Sequence, residues 1–253
     1  MIQNATKARL IDGEAVFGCF VRYAEPALAE FTAMQGWDFL VFDGEHGTLQ
    51  PREIEELCRA AELRGVTPMA RVTTNEAHVI LRFLDTGLHG VHVPWVNSPA
   101  EAEQAVRSVK YQPRGQRGLA GSRASDWGMT EPIADYTRRA NRETLVVAQI
   151  ETRAAVDAIE EYTAIEGIDV LFIGPNDLSH SLGHPGEISH PDVVAAMDRV
   201  TGVVVASDKT LGTFVGSAAA ARDWLDRGAR YIATGTDGFL RDGMRDYLAQ
   251  VRS

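Results

Sequence analysis

Short apolar runs alternate with amphipathic stretches along the whole chain. The runs fall at residues 16–21, 39–43, 67–72, 90–96, 145–151, 170–174, 211–215 and 231–235. They are mostly continuous rather than alternating, as expected of parallel strands covered on both faces. Between them, residues 26–35, 52–64, 76–86, 99–110, 153–162, 192–207, 218–227 and 239–251 read as helices. Their apolar residues recur at spacings of three and four, as in the stripe Ile54, Leu57, Cys58 and Ala61. Gly65, Gly87 and Gly228 close three of them, where a helix end calls for a left-handed residue.

Strand then helix, repeated through 253 residues, is the arithmetic of a (β/α)8 barrel. A doubly wound open sheet competes, but the first strand is not followed by a Gly-x-Gly-x-x-Gly turn. No linker or shift in composition divides the chain. The expectation is one α/β domain over residues 1–253, a (β/α)8 TIM barrel. Residues 111–141 form the longest irregular stretch, and on a barrel such a stretch is expected to be a lid or a substrate-binding loop.

Composition narrows the function classes. Lysine and arginine number 25 against 35 aspartates and glutamates, a net charge of −10 with no long basic run. Such a chain is poorly suited to nucleic acid or to an anionic membrane. Cys19 and Cys58 are too few for a zinc cluster or a disulfide scaffold, which fits a reducing cytoplasm. Residues 1–14 are polar and lack the apolar core of a signal peptide. No apolar run reaches the roughly 18 residues of a membrane span.

In a barrel the chemistry collects at the C-terminal ends of the strands. Those ends read Asp43-Gly44-Glu45-His46, Arg71, Gln149-Ile150-Glu151 and Gly174-Pro175-Asn176-Asp177. Asp85 lies just before Gly87 at the end of the third helix. Glu151 and Asp177 close two strands joined by a single helical crossover, so they are expected on neighbouring strands about 5 Å apart. Two adjacent carboxylates repel and desolvate badly unless a positive charge lies between them. A hard divalent cation with oxygen ligands answers that need, and Mg²⁺, Mn²⁺ or Co²⁺ would suit. Blander readings exist: Glu151 and Asp177 as helix or turn caps, His46 as a structural histidine, Arg71 reaching out to solvent. Two caps meeting at adjacent strand ends is the less economical account. His180, His184 and His190 are read as loop residues, because their spacing suggests no third protein ligand.

The segments Asp43-Gly-Glu-His46, Arg71, Phe83-Leu-Asp85-Thr-Gly87, Val93-Pro94-Trp-Val96, Gln149-Ile-Glu-Thr-Arg153 and Phe172-Ile-Gly-Pro-Asn-Asp-Leu-Ser179 together resemble the HpcH/HpaI aldolase family. These are class II, metal-dependent pyruvate aldolases. The resemblance implies a barrel of the pyruvate kinase-like, PEP-utilising type. It implies Glu151 and Asp177 as metal ligands, with Arg71 and Gln149 on the pyruvate end and its enolate oxygen. Backbone groups of Gly174, Asn176 and Asp177 would face the pyruvate carboxylate. His46, oriented by Asp85, would be the acid/base. It further implies a homo-oligomer, a hexamer built as a trimer of dimers, with the last helix exchanged between subunits. Gly47-Thr48 stands where Ala-Pro is frequent, and residues 119–133 differ in length and sequence. By the same resemblance, both would border the place of the aldehyde half of the substrate.

The expected reaction is cleavage of a 4-hydroxy-2-oxo acid to pyruvate and an aldehyde. Lys7, Lys110 and Lys209 are the chain's lysines and none ends a strand, which argues against a Schiff-base route. A lyase acting on an acyl-CoA or a dicarboxylate, another enzyme forming pyruvate enolate, and a catalytically silent sensor are the competing functions. A sensor has no need of a general base.

Overall fold

The computed structural model describes residues 3–252. Its strands are β1 (Val16–Val21), β2 (Phe39–Asp43), β3 (Thr67–Arg71), β4 (Gly90–Val93), β5 (Leu145–Ile150), β6 (Val170–Ile173), β7 (Thr210–Phe214) and β8 (Tyr231–Gly235). All are parallel and pair in chain order, and β8 pairs back onto β1 to close the barrel. The (β/α)8 expectation is met.

The helices are α1 (Ala5–Ile11), α2 (Pro26–Ala33), α3 (Pro51–Leu63), α4 (Ala77–Leu84), α5 (Pro99–Val109), α6 (Ile133–Glu143), α7 (Arg153–Asp157), α8 (Ile159–Thr163), α9 (Pro175–Ser181), α10 (Pro191–Val205), α11 (Ala218–Asp226) and α12 (Thr236–Arg252). Two cores result. Inward-facing Val16, Phe39, Val41, Met69, Val147 and Tyr231 fill the barrel. Outward-facing Leu40, Phe42, Ala70, Val146 and Leu171 meet the apolar faces of the helices. Gly18 is required inside: a Cβ there would lie 2.0 Å from the Phe39 ring.

Several boundaries differ from the sequence reading. β4 stops at Val93 because Pro94 cannot donate to a ladder. The helix expected over 153–162 is broken at Ala158 into α7 and α8. The stretch 111–141 is not structureless: it holds a 3-10 turn at Arg123–Gly128 and most of α6. The N-terminal stretch contains α1, which closes the barrel floor. Asn4 Nδ2 donates to the carbonyls of His89 (3.0 Å) and Glu143 (2.9 Å), while Thr6 Oγ1 bonds Thr67 Oγ1 at 2.8 Å. No helix among the described residues is long and apolar enough to cross a membrane.

Candidate active site

Asp43 is the organising residue at the barrel mouth. It ends β2, is fully buried, and accepts from Arg71 Nε (2.9 Å) and Nη2 (2.7 Å) in a two-pronged pair. The same carboxylate accepts the backbone N–H of Glu45 (3.2 Å) and of His46 (3.1 Å), fixing the turn after β2. Burial works against its charge, but Arg71 holds the Asp43 carboxyl below its usual range. The third nitrogen of Arg71 lies 3.0 Å from Glu45 Oε2, and the guanidinium stacks over Phe20 at 5.2 Å. A cation engaged on three sides is rigid, with one face left toward the cavity.

Glu151 follows β5 and is 1% exposed. Its Oε1 accepts the backbone N–H of Trp95 at 2.6 Å, and its Oε2 accepts Gln149 Nε2 at 2.6 Å. Trp95 takes a left-handed φ of 51°, an uncommon conformation for a bulky residue. Its indole Nε1 also donates to Glu45 Oε1 at 3.1 Å. Gly174 belongs to the same construction, since a Cβ there would come within 2.7 Å of Glu151 Oε2. Burial, with Glu45 and Asp177 adding like charge, pushes the Glu151 carboxyl up to about 7. Burial also raises Glu45, with Arg71 opposing and Asp177 and Asp43 reinforcing. Glu151 and Asp177 thus face one space with Glu45 close behind them, and the oxygen donors of the first two suit a hard cation.

That space is a cavity of about 190 Å³ at the C-terminal ends of the strands. Of the residues singled out in the sequence, His46, Arg71, Gln149, Glu151, Gly174, Asn176 and Asp177 all line it. Phe20, Phe172 and Phe214 form its apolar floor, and Arg22 stands at its edge. Asp85 does not line it. Its carboxylate is bound by Arg117 at 2.8 Å. It is the backbone bond to Asp43 that holds the His46 turn. The reason is topological: Asp85 ends a helix outside the barrel, and the segment after α5 brings Arg117 over it.

Asp43, Glu45 and Trp95 stand in the quoted motifs, yet only the fold reveals their contacts. Arg22, after β1, and the buried pair His92 and Tyr231 carried no local signal.

His184, His190 and Asp192 offer ligand atoms within 4.8 Å of one another, apart from this cavity. The two imidazoles lie face to face, 3.4 Å apart and 16° from parallel. Their in-plane lone pairs therefore run side by side rather than converging. His190 Nδ1 accepts the N–H of Asp192 at 3.2 Å as the cap of α10, and His184 Nε2 lies 3.2 Å from Asp192 Oδ2. The group acts as a helix cap and loop clamp.

Comparison with known proteins finds relatives over nearly the whole chain. The family model for HpcH/HpaI aldolase/citrate lyase matches residues 16–241. A 5-keto-4-deoxy-D-glucarate aldolase of Shigella boydii is 37% identical over 237 residues, 92% of this chain and 90% of that protein. The crystal structure of an HpcH/HpaI aldolase/citrate lyase family protein from Burkholderia cenocepacia superposes with a TM-score of 0.94 at 36% identity, covering 99% of this chain and 100% of that one. A solved citrate synthase gives 0.88 at 29% identity over 97% of this chain and 96% of its own.

Proposed function

The chain belongs to the HpcH/HpaI aldolase/citrate lyase family and is an enzyme of the aldehyde-lyase type, and from that premise we propose that it cleaves 4-hydroxy-2-oxo acids reversibly to pyruvate and an aldehyde. The observation that carries this reading is the convergence of His46, Arg71, Gln149, Glu151 and Asp177 on one small cavity. The name of the 37%-identical relatives points to a six-carbon diacid, 5-keto-4-deoxyglucarate, as the substrate to try first. Its aldehyde product would keep a carboxylate, and Arg22, which lines the cavity while pairing with Asp43 and Asp237, is the cation placed to receive it.

The residues divide the work as follows. His46, the exposed imidazole of the cavity, takes the proton from the C4 hydroxyl. The C4–O electrons form the aldehyde carbonyl, the C3–C4 bond breaks, and its electron pair enters the three-carbon fragment as an enolate. Arg71, fixed by Asp43 and Glu45, presents permanent positive charge to the enolate oxygen. Gln149 adds an amide donor beside it, and the backbone of Gly174, Asn176 and Asp177 faces the carboxylate. His46 then returns its proton to C3 of the enolate, giving pyruvate. Glu151 and Asp177 would hold a divalent ion, Mg²⁺, Mn²⁺ or Co²⁺, which when bound supplies a Lewis acid to the 2-oxo acid. The fit rests on the crowding of Glu151 by Glu45 and Asp177 and on the elevated Glu151 pKa it helps to produce.

The test is pyruvate release, coupled to lactate dehydrogenase, from a panel of 4-hydroxy-2-oxo acids including 5-keto-4-deoxyglucarate. It is run on EDTA-treated protein and again with Mg²⁺ or Mn²⁺ restored. Release that returns only with metal is expected, with Asp177→Ala losing most of it. No release from any substrate by metal-loaded protein would favour the second reading, carbon–carbon lysis or synthesis on a dicarboxylate, which the likeness to the citrate synthase supports. Two buried free cysteines agree with a cytoplasmic location for either reaction.

A further inference from the structure

Beneath the cavity, inside the barrel, lies a buried polar pair that the proposed reaction leaves unused. His92 of β4 is fully buried, ringed by Phe20, Phe172 and Tyr231 at 5.1–5.5 Å. The β4–β5 register sets His92 beside Val147. Side chains two apart on a strand share a face, so Gln149 stands one layer above His92 on the same inward surface. Two buried atoms in this corner lack a hydrogen-bond partner, His92 Nδ1 and Gln149 Oε1. One can donate and the other can only accept.

Their far ends are already engaged. His92 Nε2 lies 2.7 Å from Tyr231 Oη, and Gln149 Nε2 donates to Glu151 Oε2 at 2.6 Å. Tyr231 is fully buried and burial keeps its phenol protonated. Among the described residues its hydroxyl has His92 as its hydrogen-bond partner, and only with Tyr231 as donor does Nδ1 carry a proton rather than a lone pair toward Gln149 Oε1. The O–H therefore donates to Nε2, which leaves the imidazole proton on Nδ1. Burial, helped by the nearby charge of Arg71, drives the His92 pKa down to about 3 and keeps the ring neutral.

We propose that His92 is a positioning residue for Gln149: its Nδ1–H, fixed by Tyr231, donates to Oε1 and holds the amide with its NH2 toward Glu151 and the cavity. The inference rests on the aldolase reading, in which that NH2 serves the enolate oxygen. A flipped amide would set its carbonyl oxygen against the Glu151 carboxylate and present an acceptor where the developing oxyanion needs a donor.

The experiment uses the whole, Mg²⁺-loaded protein with oxalate, a flat dianion resembling pyruvate enolate, as the calorimetric probe. Pyruvate release is followed alongside it. His92→Leu removes the donor and should weaken oxalate binding and lower kcat by about tenfold or more, with a smaller change in KM. His92→Asn puts an N–H near the position of Nδ1 and should recover most of the oxalate affinity, although its contact with Tyr231 is lost. Tyr231→Phe removes only the hydroxyl and should weaken oxalate binding in the same direction, which decides the matter if His92→Leu does not fold. Oxalate affinity within twofold of wild type in folded His92→Leu or Tyr231→Phe, or no recovery in His92→Asn, would overturn the proposal. A wild-type protein that neither binds oxalate nor releases pyruvate would instead remove the reaction reading on which it stands.

Discussion

Glu151 illustrates how one buried group reports on the whole site. Its carboxyl ionises near 4.5 in an unfolded chain and at about 7 in the fold, chiefly because of burial. Between those values the folded state binds more protons than the unfolded one. Its contribution to stability therefore falls as pH rises through that window, and levels off above it. The full span amounts to about 3 kcal/mol for a group this buried. Urea unfolding of EDTA-treated protein should show that loss from about pH 5 to about pH 7.5, and Glu151→Gln should flatten it. Adding Mg²⁺ at the upper pH should stabilise wild type and leave Glu151→Gln unmoved. An equal slope in the two proteins would count against a strained, cation-seeking carboxylate. None of this was legible from Glu151 alone, because a carboxylate at the start of a helix also reads as a cap.

At the scale of elements, the segment between α5 and α6 is strapped to the barrel by two arginines. Arg117, its side chain wholly buried, pairs with Asp85 and lies over the Tyr111 ring at 4.7 Å. Arg123 donates to the carbonyl of Thr86 at 2.6 Å and pairs with Glu62. Asp85 thus has a structural task. Asp85→Ala leaves a buried guanidinium without its acid and should destabilise the protein by about 3–5 kcal/mol. Denaturant titration measures that loss, and the pH–rate profile should keep its shape. A changed profile with unchanged stability would place Asp85 in the acid/base machinery. The sequence places Asp85 correctly at the end of a helix, but it cannot foretell which basic group the segment over residues 110–132 will carry over it.

At the scale of the molecule, α12 stands off the barrel after its first turn. Thr236 Oγ1 donates to the Phe20 carbonyl at 3.1 Å, and Phe239 meets Trp37 at 6.0 Å. Beyond them Met244, Tyr247 and Val251 are 62, 67 and 60% exposed. An apolar face of that extent on a two-turn or longer helix calls for a partner, and exchange with a second copy of the chain is the arrangement expected. Light scattering should give a mass of more than one chain, and Met244→Asp combined with Tyr247→Asp should reduce it. A monomeric wild type would refute the exchange.

What the sequence determined by itself was the order of parts: eight apolar runs, the helices between them, and the polar groups at the strand ends. These follow from short-range periodicity and backbone rules, which act within a few residues. The tertiary structure alone decided which of those groups touch. Barrel closure set Arg71 against Asp43, brought the Trp95 N–H to Glu151, and laid Tyr231 against His92 from β8. It also turned Asp85 away to Arg117. Such contacts join residues distant in the chain, and they are fixed by register and packing, which no local pattern records.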